Sequence, residues 1–295
     1  MKIIPADNLT CPLDGRPLHA NGCAKQLICD AGHSFDIAKQ GHVNLLAVQD
    51  KRSKDPGDSK DMVAARQRFL DHGVYQAVSD ELNAIIAAHI QTLKNNKVYR
   101  VFDAGCGEGY YLDKLVASLK GVGRAGGAER SCALIGMDIS KHAVLSAAKR
   151  NKRDISWVVG TNRKPPVGKA SINSIICMFG YPVYSAFTDI LDEGGIVILV
   201  ESGLDHLIEL REVAYDEVRK ADLPSLDKAL DAGFALESTQ NIKTKTGALN
   251  AEQINDLLIM TPHFFKAKAE NREQAAKLKS LDVTIDVTIR VLARR

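Results

Sequence analysis

The stretch CPLDGRPLHANGCAKQLICDAGH near the start of the chain has the residue types of a metal-binding knuckle. Cys11 and Asp14 keep the spacing of a CxxC pair, with an aspartate as its second member, and Cys29 and His33 form a CxxxH pair further on. A structural zinc ion takes four such ligands in a tetrahedron. The fourth is either Asp14, which keeps the spacing, or Cys23, which offers a softer thiolate from the intervening loop. The pattern predicts one zinc ion per chain; the alternative is a knuckle that has lost its metal.

A glycine-rich turn, in VFDAGCGEGYY, is the second place where the residue types suit chemistry. Gly105, Gly107 and Gly109 follow an apolar run, where the backbone must turn tightly and can approach a ligand closely. A helix that begins near Glu108 would aim backbone N–H groups into the turn. Tyr110 stands where a dinucleotide-binding turn would have its third glycine, so the pattern is D-x-G-x-G-x-G instead.

This pattern resembles motif I of methyltransferases that use S-adenosylmethionine, a cofactor with a sulfonium, an amine and a ribose diol. Asp103 ends the first strand and suits the positively charged end of that cofactor, directly or through a water molecule. Asp138 ends the next strand in IGMDIS, where its carboxylate can accept hydrogen bonds from both ribose hydroxyls. The two aspartates, the three glycines and Glu108 therefore form the predicted cofactor site. The alternative is a turn that serves the fold alone.

Short apolar runs that alternate with helical stretches must hold these residues in place. Five runs predict buried strands of parallel βαβ units, namely VYRVFDAG, ALIGMDIS, ISWVVG, INSIICMFG and GIVILVES. Near the end of the chain, VTIDVTIRVL alternates as a half-exposed antiparallel strand does. The fold class is therefore α/β, and the layout resembles class I methyltransferases: a Rossmann-like, mostly parallel seven-stranded sheet with a small N-terminal zinc-ribbon-like module.

The chain divides into three predicted parts. Residues 1–46 are rich in cysteine, glycine and proline and can bury little core, so a metal would organise them. Residues 47–95 form a polar linker followed by helices, and residues 96–295 form the methyltransferase domain.

Composition limits the classes of function. Six cysteines in no disulfide pattern indicate reduced thiols and a cytoplasmic protein, and no apolar run approaches the ~20 residues that span a bilayer. The formal net charge is only +3, so a nucleic-acid surface would have to be a local patch. The stretch 51–68 carries a modest basic excess that either binds phosphates or is a solvated face. Its basic residues are Lys51, Arg52, Lys54, Lys60, Arg66 and Arg68.

The whole chain resembles the RlmA-type 23S ribosomal RNA guanine-N(1) methyltransferases. The resemblance runs from Cys11 to about Pro262 and rests on the stretches CPLDGRPL, CDAGHSFDIAKQGHVNLL, KRSKDPGDS, FLDHGVYQ, DAGCGEGYY, HLIELR and LLIMTP. It implies an N-terminal zinc domain for RNA recognition, with three cysteines and one histidine as ligands; the family's remaining cysteine falls on Asp14 here. It also implies that Tyr75 and His206 contact the cofactor.

The implied reaction transfers a methyl group from S-adenosylmethionine to nitrogen 1 of a guanine in a hairpin loop of 23S ribosomal RNA. In MFGYP, at the end of the fourth strand, Phe179 or Tyr181 would stack on the guanine or else line the apolar cofactor pocket. No residue is singled out as the base. The resemblance further implies a homodimer. Two other functions stay open: methylation of a small molecule, and RNA binding without catalysis.

Overall fold

A computed structural model describes residues 1–22, 25–51, 53–92, 98–121, 130–218, 220, 222–261 and 268–294. The strands, in chain order, are β1 (Lys2–Ile3), β2 (His19–Ala20), β3 (Gln26–Ile28), β4 (Ser34–Asp36), β5 (His42–Asn44), β6 (Tyr99–Ala104), β7 (Ser131–Asp138), β8 (Ile155–Val159), β9 (Ile172–Met178), β10 (Leu191–Ser202), β11 (Phe234–Asn250) and β12 (Ser280–Arg294). The helices are α1 (Lys60–Asp71), α2 (Gln76–Thr92), α3 (Tyr110–Gly121), α4 (Lys141–Arg150), α5 (Tyr184–Ile190), α6 (Ile208–Ala214), α7 (Asp227–Asp231), α8 (Ala251–Met260) and α9 (Ala269–Ala276).

One large sheet organises these elements, in the order β11-β12-β10-β9-β6-β7-β8-β5. Its central strands are parallel, and β12 runs antiparallel to both β10 and β11. The predicted α/β class and mostly parallel sheet are therefore confirmed. The seven expected strands are present, and two short strands from the N-terminal segment, β1 and β5, enlarge the sheet to nine.

The burial of each strand explains why some strands appear as apolar runs in the sequence and others do not. Strands β7 and β9 are buried along almost their whole length, as parallel strands covered on both faces are, and they read as continuous apolar runs. Strand β11 lies at the edge with mostly exposed polar side chains. No apolar run marks it in the sequence for that reason.

Helices α1 and α2 occupy the stretch predicted to be helical after the linker. The side chain of Ser59 caps α1 by accepting a hydrogen bond from the backbone N–H of Met62. Ser140 caps α4 in the same way through Ala143. Helix α1 packs on α8 and α4, which brings its polar side chains to the carboxyl ends of the parallel strands.

The N-terminal segment is joined to the main sheet. Strands β2, β3 and β4 form a separate three-stranded antiparallel sheet, whereas β1 pairs with β7 and β5 pairs with β8. The buried side chains of Cys11 and Cys29 belong to the same apolar cluster as Ile135 and Val158 of the main sheet. The division of the chain at residue 46 stays a prediction.

Within the described ranges, no helix combines the length and the apolar character that crossing a bilayer requires.

Candidate functional site

A cavity of about 530 Å³ opens at the carboxyl ends of the parallel strands, where ligands bind in open α/β sheets. Its volume suits a ligand of nucleoside size or somewhat larger. It is lined by residues of the glycine turn and the start of α3, of the linker, α1 and the turn before α2, of the end of β7, of the ends of β9 and β10 and the loops after them, and of the end of α8. The polar and glycine residues of the lining are Asp58, Arg66, Tyr75, Asp103, Gly105, Gly107, Glu108, Tyr111, Asp138, Gly180, Ser202, His206 and Thr261.

Two of the three glycines face this cavity. Gly105 and Gly107 have φ angles of 112° and 54°, which side chains rarely allow. A Cβ atom on Gly105 would meet nothing within 4 Å, and one on Gly107 would meet only Arg66 Nη1, at 3.7 Å. The turn therefore leaves its open side to a ligand.

The third glycine has a different role. A Cβ atom on Gly109 would lie 2.7 Å from the ring of Trp157 and 2.9 Å from the Cβ atom of Ala147. Gly109 does not line the cavity. It lets the start of α3 pack closely on β8 and α4. That Gly109 binds the cofactor stays a prediction.

The two predicted carboxylates lie at the neighbouring ends of β6 and β7. Asp103 is 1% exposed, and its Oδ1 atom has no hydrogen-bond partner among the described residues. Burial, and then the charge of Asp138, raise the pKa of Asp103 to about 8. Asp138 accepts hydrogen bonds from the backbone N–H groups of Gly107 (3.0 Å) and Ser140 (2.8 Å). A buried carboxyl with an unsatisfied oxygen on a cavity wall suits a ligand that brings a donor or a positive charge.

Glu108 lines the cavity, but its carboxylate is bound elsewhere. Arg150 donates to Glu108 Oε2 from Nη2 (2.5 Å) and Nε (2.8 Å), and to Asp71 from Nη1 (2.7 Å). Burial raises the pKa of Glu108, and Arg150 opposes that effect. This ion pair fastens the glycine turn to α4, so Glu108 positions the turn.

Tyr75, which directly precedes α2, and His206, in the loop after β10, meet on the cavity wall. His206 Nδ1 accepts a hydrogen bond from the backbone N–H of Asp286 at 3.2 Å, so the ring proton is on Nε2. Nε2 lies 3.2 Å from the hydroxyl oxygen of Tyr75 and donates to it. The hydroxyl proton of Tyr75 can therefore point to a ligand.

Phe179 lies beside this pair with a strained backbone. Its φ angle is 48°, and its ring stacks on His206 with centroids 5.6 Å apart and planes 25° apart. The side chain is 42% exposed and lines the cavity. Tyr181 is 92% exposed and does not line it. Of the two predicted stacking residues, the structure brings Phe179 alone to the cavity.

The predicted metal ligands converge in the N-terminal segment. Ligand atoms of Cys11, Asp14, Cys29 and His33 all lie within 4.8 Å of one another. His33 Nδ1 is 3.5 Å from the sulfur of Cys11, 3.4 Å from that of Cys29 and 3.2 Å from Asp14 Oδ2. Cys29 Sγ and Asp14 Oδ2 are 3.6 Å apart. The alternative ligand, Cys23, lies outside the described residues.

These distances fit a tetrahedral zinc site. With zinc–sulfur bonds of about 2.3 Å and zinc–nitrogen or zinc–oxygen bonds of about 2.05 Å, tetrahedral angles separate sulfur from nitrogen or oxygen by about 3.6 Å and nitrogen from oxygen by about 3.3 Å. Hydrogen bonding from the backbone N–H of Arg16 lowers the pKa of Asp14, which keeps it ionised and able to bind a cation.

The basic stretch separates into exposed and paired residues. Lys51, Lys54 and Lys60 are exposed, and Arg52 lies outside the described residues. Arg68 forms two hydrogen bonds, of 2.9 and 2.5 Å, with the buried carboxylate of Asp256. Arg66 instead lines the cavity together with Asp58. The sequence marked Arg66 as basic but showed no sign that it faces the cofactor site.

Known proteins are similar to the N-terminal segment and to most of the whole chain. Residues 9–54 match a family model of a zinc ribbon, described as RlmA, N-terminal. A candidate 23S rRNA (guanine-N(1)-)-methyltransferase of Micromonospora griseorubida is 32% identical over 247 residues, which cover 80% of this chain and 77% of that protein. The 23S rRNA (guanine(748)-N(1))-methyltransferase of Streptomyces fradiae is 28% identical over 286 residues, covering 96% of this chain and 95% of its own. A candidate enzyme of the same description from Bacillus subtilis, YxjB, is 28% identical over 95% of this chain and 94% of its own.

Proposed function

The chain belongs to the 23S rRNA (guanine-N(1)-)-methyltransferase family, and on that premise we propose that it methylates nitrogen 1 of a guanine in a hairpin loop of 23S ribosomal RNA. S-adenosylmethionine is the methyl donor, as in the family's reaction. The observation that carries the proposal is the cavity beside the glycine turn. On its wall, the buried carboxyl of Asp103 has an oxygen with no hydrogen-bond partner in the part of the chain that the structure describes.

The chain's own groups fit each end of this cofactor. When bound, S-adenosylmethionine supplies an electrophilic methyl group on a sulfonium. Asp103 would hold the amine, which gives the buried carboxyl both a donor and a positive charge. Asp138 would accept from the ribose hydroxyls with oxygen lone pairs that its two backbone bonds leave free. Tyr75 would donate its hydroxyl proton to the ligand.

Phe179 is the residue that would hold the guanine. Nitrogen 1 lies on the Watson–Crick edge of the base, so a paired guanine cannot reach the cavity and an unpaired loop nucleotide must be splayed out. One face of the Phe179 ring is covered by His206, and the ring remains 42% exposed, which leaves surface for a base. Tyr181 is exposed and would contact RNA outside the cavity.

We propose that Cys11, Asp14, Cys29 and His33 hold one zinc ion and that the surrounding module gives RNA a second surface. The module is tied to the catalytic edge of the sheet: Lys164, in the loop after β8, donates a hydrogen bond to the backbone oxygen of Pro12.

Whether Asp14 or Cys23 is the fourth ligand can be tested by metal analysis of protein purified without chelator. If Asp14 is the ligand, Asp14→Ala should reduce the zinc retained to well under one equivalent, and Cys23→Ala should retain a full equivalent. The opposite pair of results would select Cys23. Less than about a tenth of an equivalent of zinc in an active wild-type enzyme would contradict a structural zinc site.

We also propose a homodimer that acts in the cytoplasm, in which two zinc modules flank one RNA hairpin. Sedimentation at micromolar concentration should give a dimer. A fully active monomer would contradict this part of the proposal and leave the reaction itself untouched.

The reaction is tested by primer extension on 23S ribosomal RNA from a strain that lacks the gene. A methyl group on nitrogen 1 blocks base pairing, so reverse transcriptase should stop at one guanine in wild-type RNA and read through it in the deletion strain. A plasmid with the wild-type gene should restore the stop, and one with Asp138→Ala should not. Identical RNA patterns in both strains, with methyl transfer to a small molecule instead, would contradict the proposal.

A further inference from the structure

The guanidinium of Arg66 brings a permanent positive charge to the cofactor cavity. Among the described residues of its lining, Arg66 alone is a lysine or an arginine, whereas Asp58, Asp103, Glu108 and Asp138 are acidic. S-adenosylmethionine carries a carboxylate besides its amine and sulfonium. Among the described residues of the lining, Arg66 alone offers that carboxylate a permanent opposite charge.

The guanidinium of Arg66 is held in place but not saturated. Nη1 donates to Asp58 Oδ2 at 2.5 Å, and Nη2 donates to the backbone oxygen of Met260 at 3.0 Å. A guanidinium has five N–H donors, so these two bonds leave donors for a ligand. The side chain is 24% exposed, which leaves part of the fork accessible.

Its partners fix Arg66 next to the glycine turn. The Nη1 atom lies 3.7 Å from where a Cβ atom of Gly107 would be. The linker that supplies Asp58 is itself fastened to the turn after Asp138, because Ser140 Oγ donates to the backbone oxygen of Asp58 at 2.7 Å. A Cβ atom on Gly57 would lie 2.8 Å from that of Ser140, so only glycine allows this close approach.

We infer that Arg66 binds the carboxylate of the methionine half of S-adenosylmethionine. The fork geometry of a guanidinium matches a carboxylate, and a charged pair shielded from water discriminates strongly for a ligand with that group. The inference rests on the proposed use of S-adenosylmethionine. It adds a ligand-binding role to a residue that the basic stretch otherwise suggests for RNA phosphates.

The test compares two ligands that differ in this one group. Isothermal titration of full-length protein with S-adenosylmethionine and with decarboxylated S-adenosylmethionine gives the preference for the carboxylate as a ratio of dissociation constants. Wild-type protein should prefer S-adenosylmethionine by on the order of 10- to 100-fold. Arg66→Met, which keeps the length of the side chain, should reduce that ratio to near one, and Arg66→Lys should restore part of it.

Both ligands are titrated into the same preparation of each variant. An inactive fraction of the protein lowers the fitted stoichiometry but changes neither dissociation constant, so the ratio of the two is unaffected. The control is Arg153→Met, which removes an exposed arginine that does not line the cavity and should keep the wild-type ratio. An unchanged ratio in Arg66→Met overturns the inference, and if that variant also binds RNA more weakly, Arg66 contacts a phosphate instead. Failure of wild-type protein to bind either ligand would contradict the proposed function. That outcome is distinct from an unchanged ratio in Arg66→Met, which contradicts only the role of Arg66.

Discussion

The cofactor cavity and the zinc knuckle are assembled by different forces. The cavity gathers residues from Asp58 to Thr261, and its two aspartates are placed by β6 and β7, neighbouring buried strands at the centre of the sheet. The knuckle gathers four side chains from one short stretch, and the side chains of Asp14 and His33 remain 24% and 39% exposed. The core of the sheet therefore shapes the cavity without any ligand. At the knuckle the apolar core holds the two cysteines, whereas Asp14 and His33 are partly exposed and need a bound ion to hold them together.

This difference predicts how each site responds to damage. Removing a ligand from the knuckle should loosen the N-terminal segment, because structural zinc can contribute about 10–16 kcal/mol to such a module. Removing a contact from the cavity should change affinity more than folding, since strands β6, β7 and β9 stay packed.

The largest effect is expected for Cys29→Ala. We expect loss of zinc, loss of RNA methylation and early unfolding of residues 1–46, with the affinity for S-adenosylmethionine kept within a few-fold. Metal analysis, methyl transfer to a 23S RNA fragment and calorimetric titration measure the three. The matched control is Cys132→Ala, which removes a buried thiol in β7 and should retain one zinc. If Cys29→Ala lost cofactor binding as well, the two sites would not be independent.

The next effect separates two glycines of the same turn. Gly107→Val places a branched side chain in the open cavity, so we expect S-adenosylmethionine affinity to fall at least about 100-fold. The φ angle of 54° adds a stability cost of about 1–2 kcal/mol. Gly109→Val should instead lower the melting temperature strongly, because its side chain would overlap Trp157. Titration and thermal unfolding of both variants measure the contrast; unchanged affinity in Gly107→Val would move the site elsewhere.

These two glycines also show how far the sequence could predict the site. The D-x-G-x-G-x-G pattern and the aspartate after the next apolar run were sufficient to predict that Asp103, the glycine turn and Asp138 lie close together, because the carboxyl ends of parallel strands meet at one edge. The role of Gly109 could not be predicted, since the ring that it packs against, Trp157, is brought there only by the tertiary fold.

Other features had no local pattern to predict them. Strands β1 and β5 are two and three residues long, too short for a period to show, and the exposed edge strand β11 has no apolar run. Arg66 could not be told apart from the other basic residues of its stretch, because only the packing of α1 on α8 turns it to the cavity. The clustering of Cys11, Asp14, Cys29 and His33 could be predicted, since their spacing along the chain is itself the pattern.

A pH-dependent effect on stability is expected for Asp103→Asn in the free protein. The pKa of Asp103 is about 8 in the folded state and about 3.9 in an unfolded chain, so between these values the folded state holds one more proton. Wild-type stability therefore falls as the pH rises from 4 towards 8, by up to about 1.4 kcal/mol per unit, and the asparagine variant lacks this slope. Thermal unfolding at several pH values should show that the stability of the variant, relative to that of the wild type, increases as the pH rises.

The same variant should bind S-adenosylmethionine more weakly, and between pH 6 and 8 its affinity should not rise with pH as that of the wild type does. A wild-type affinity independent of pH in this range would mean that Asp103 does not ionise on binding.

The smallest effect is expected at the boundary between the cavity and the RNA surface, for Phe179→Leu. Leucine keeps apolar contact with His206 but cannot stack on a base, and aromatic stacking on a base is worth about 1–3 kcal/mol. Because leucine retains part of the contact area, we expect the low end, about 1 kcal/mol, which is roughly a fivefold rise in the KM for an RNA hairpin. The affinity for S-adenosylmethionine and the zinc content should stay as in wild type. Steady-state kinetics with a 23S hairpin transcript, beside titration of the cofactor, measures both. A loss of cofactor affinity with an unchanged KM for RNA would assign the ring to the cofactor wall instead.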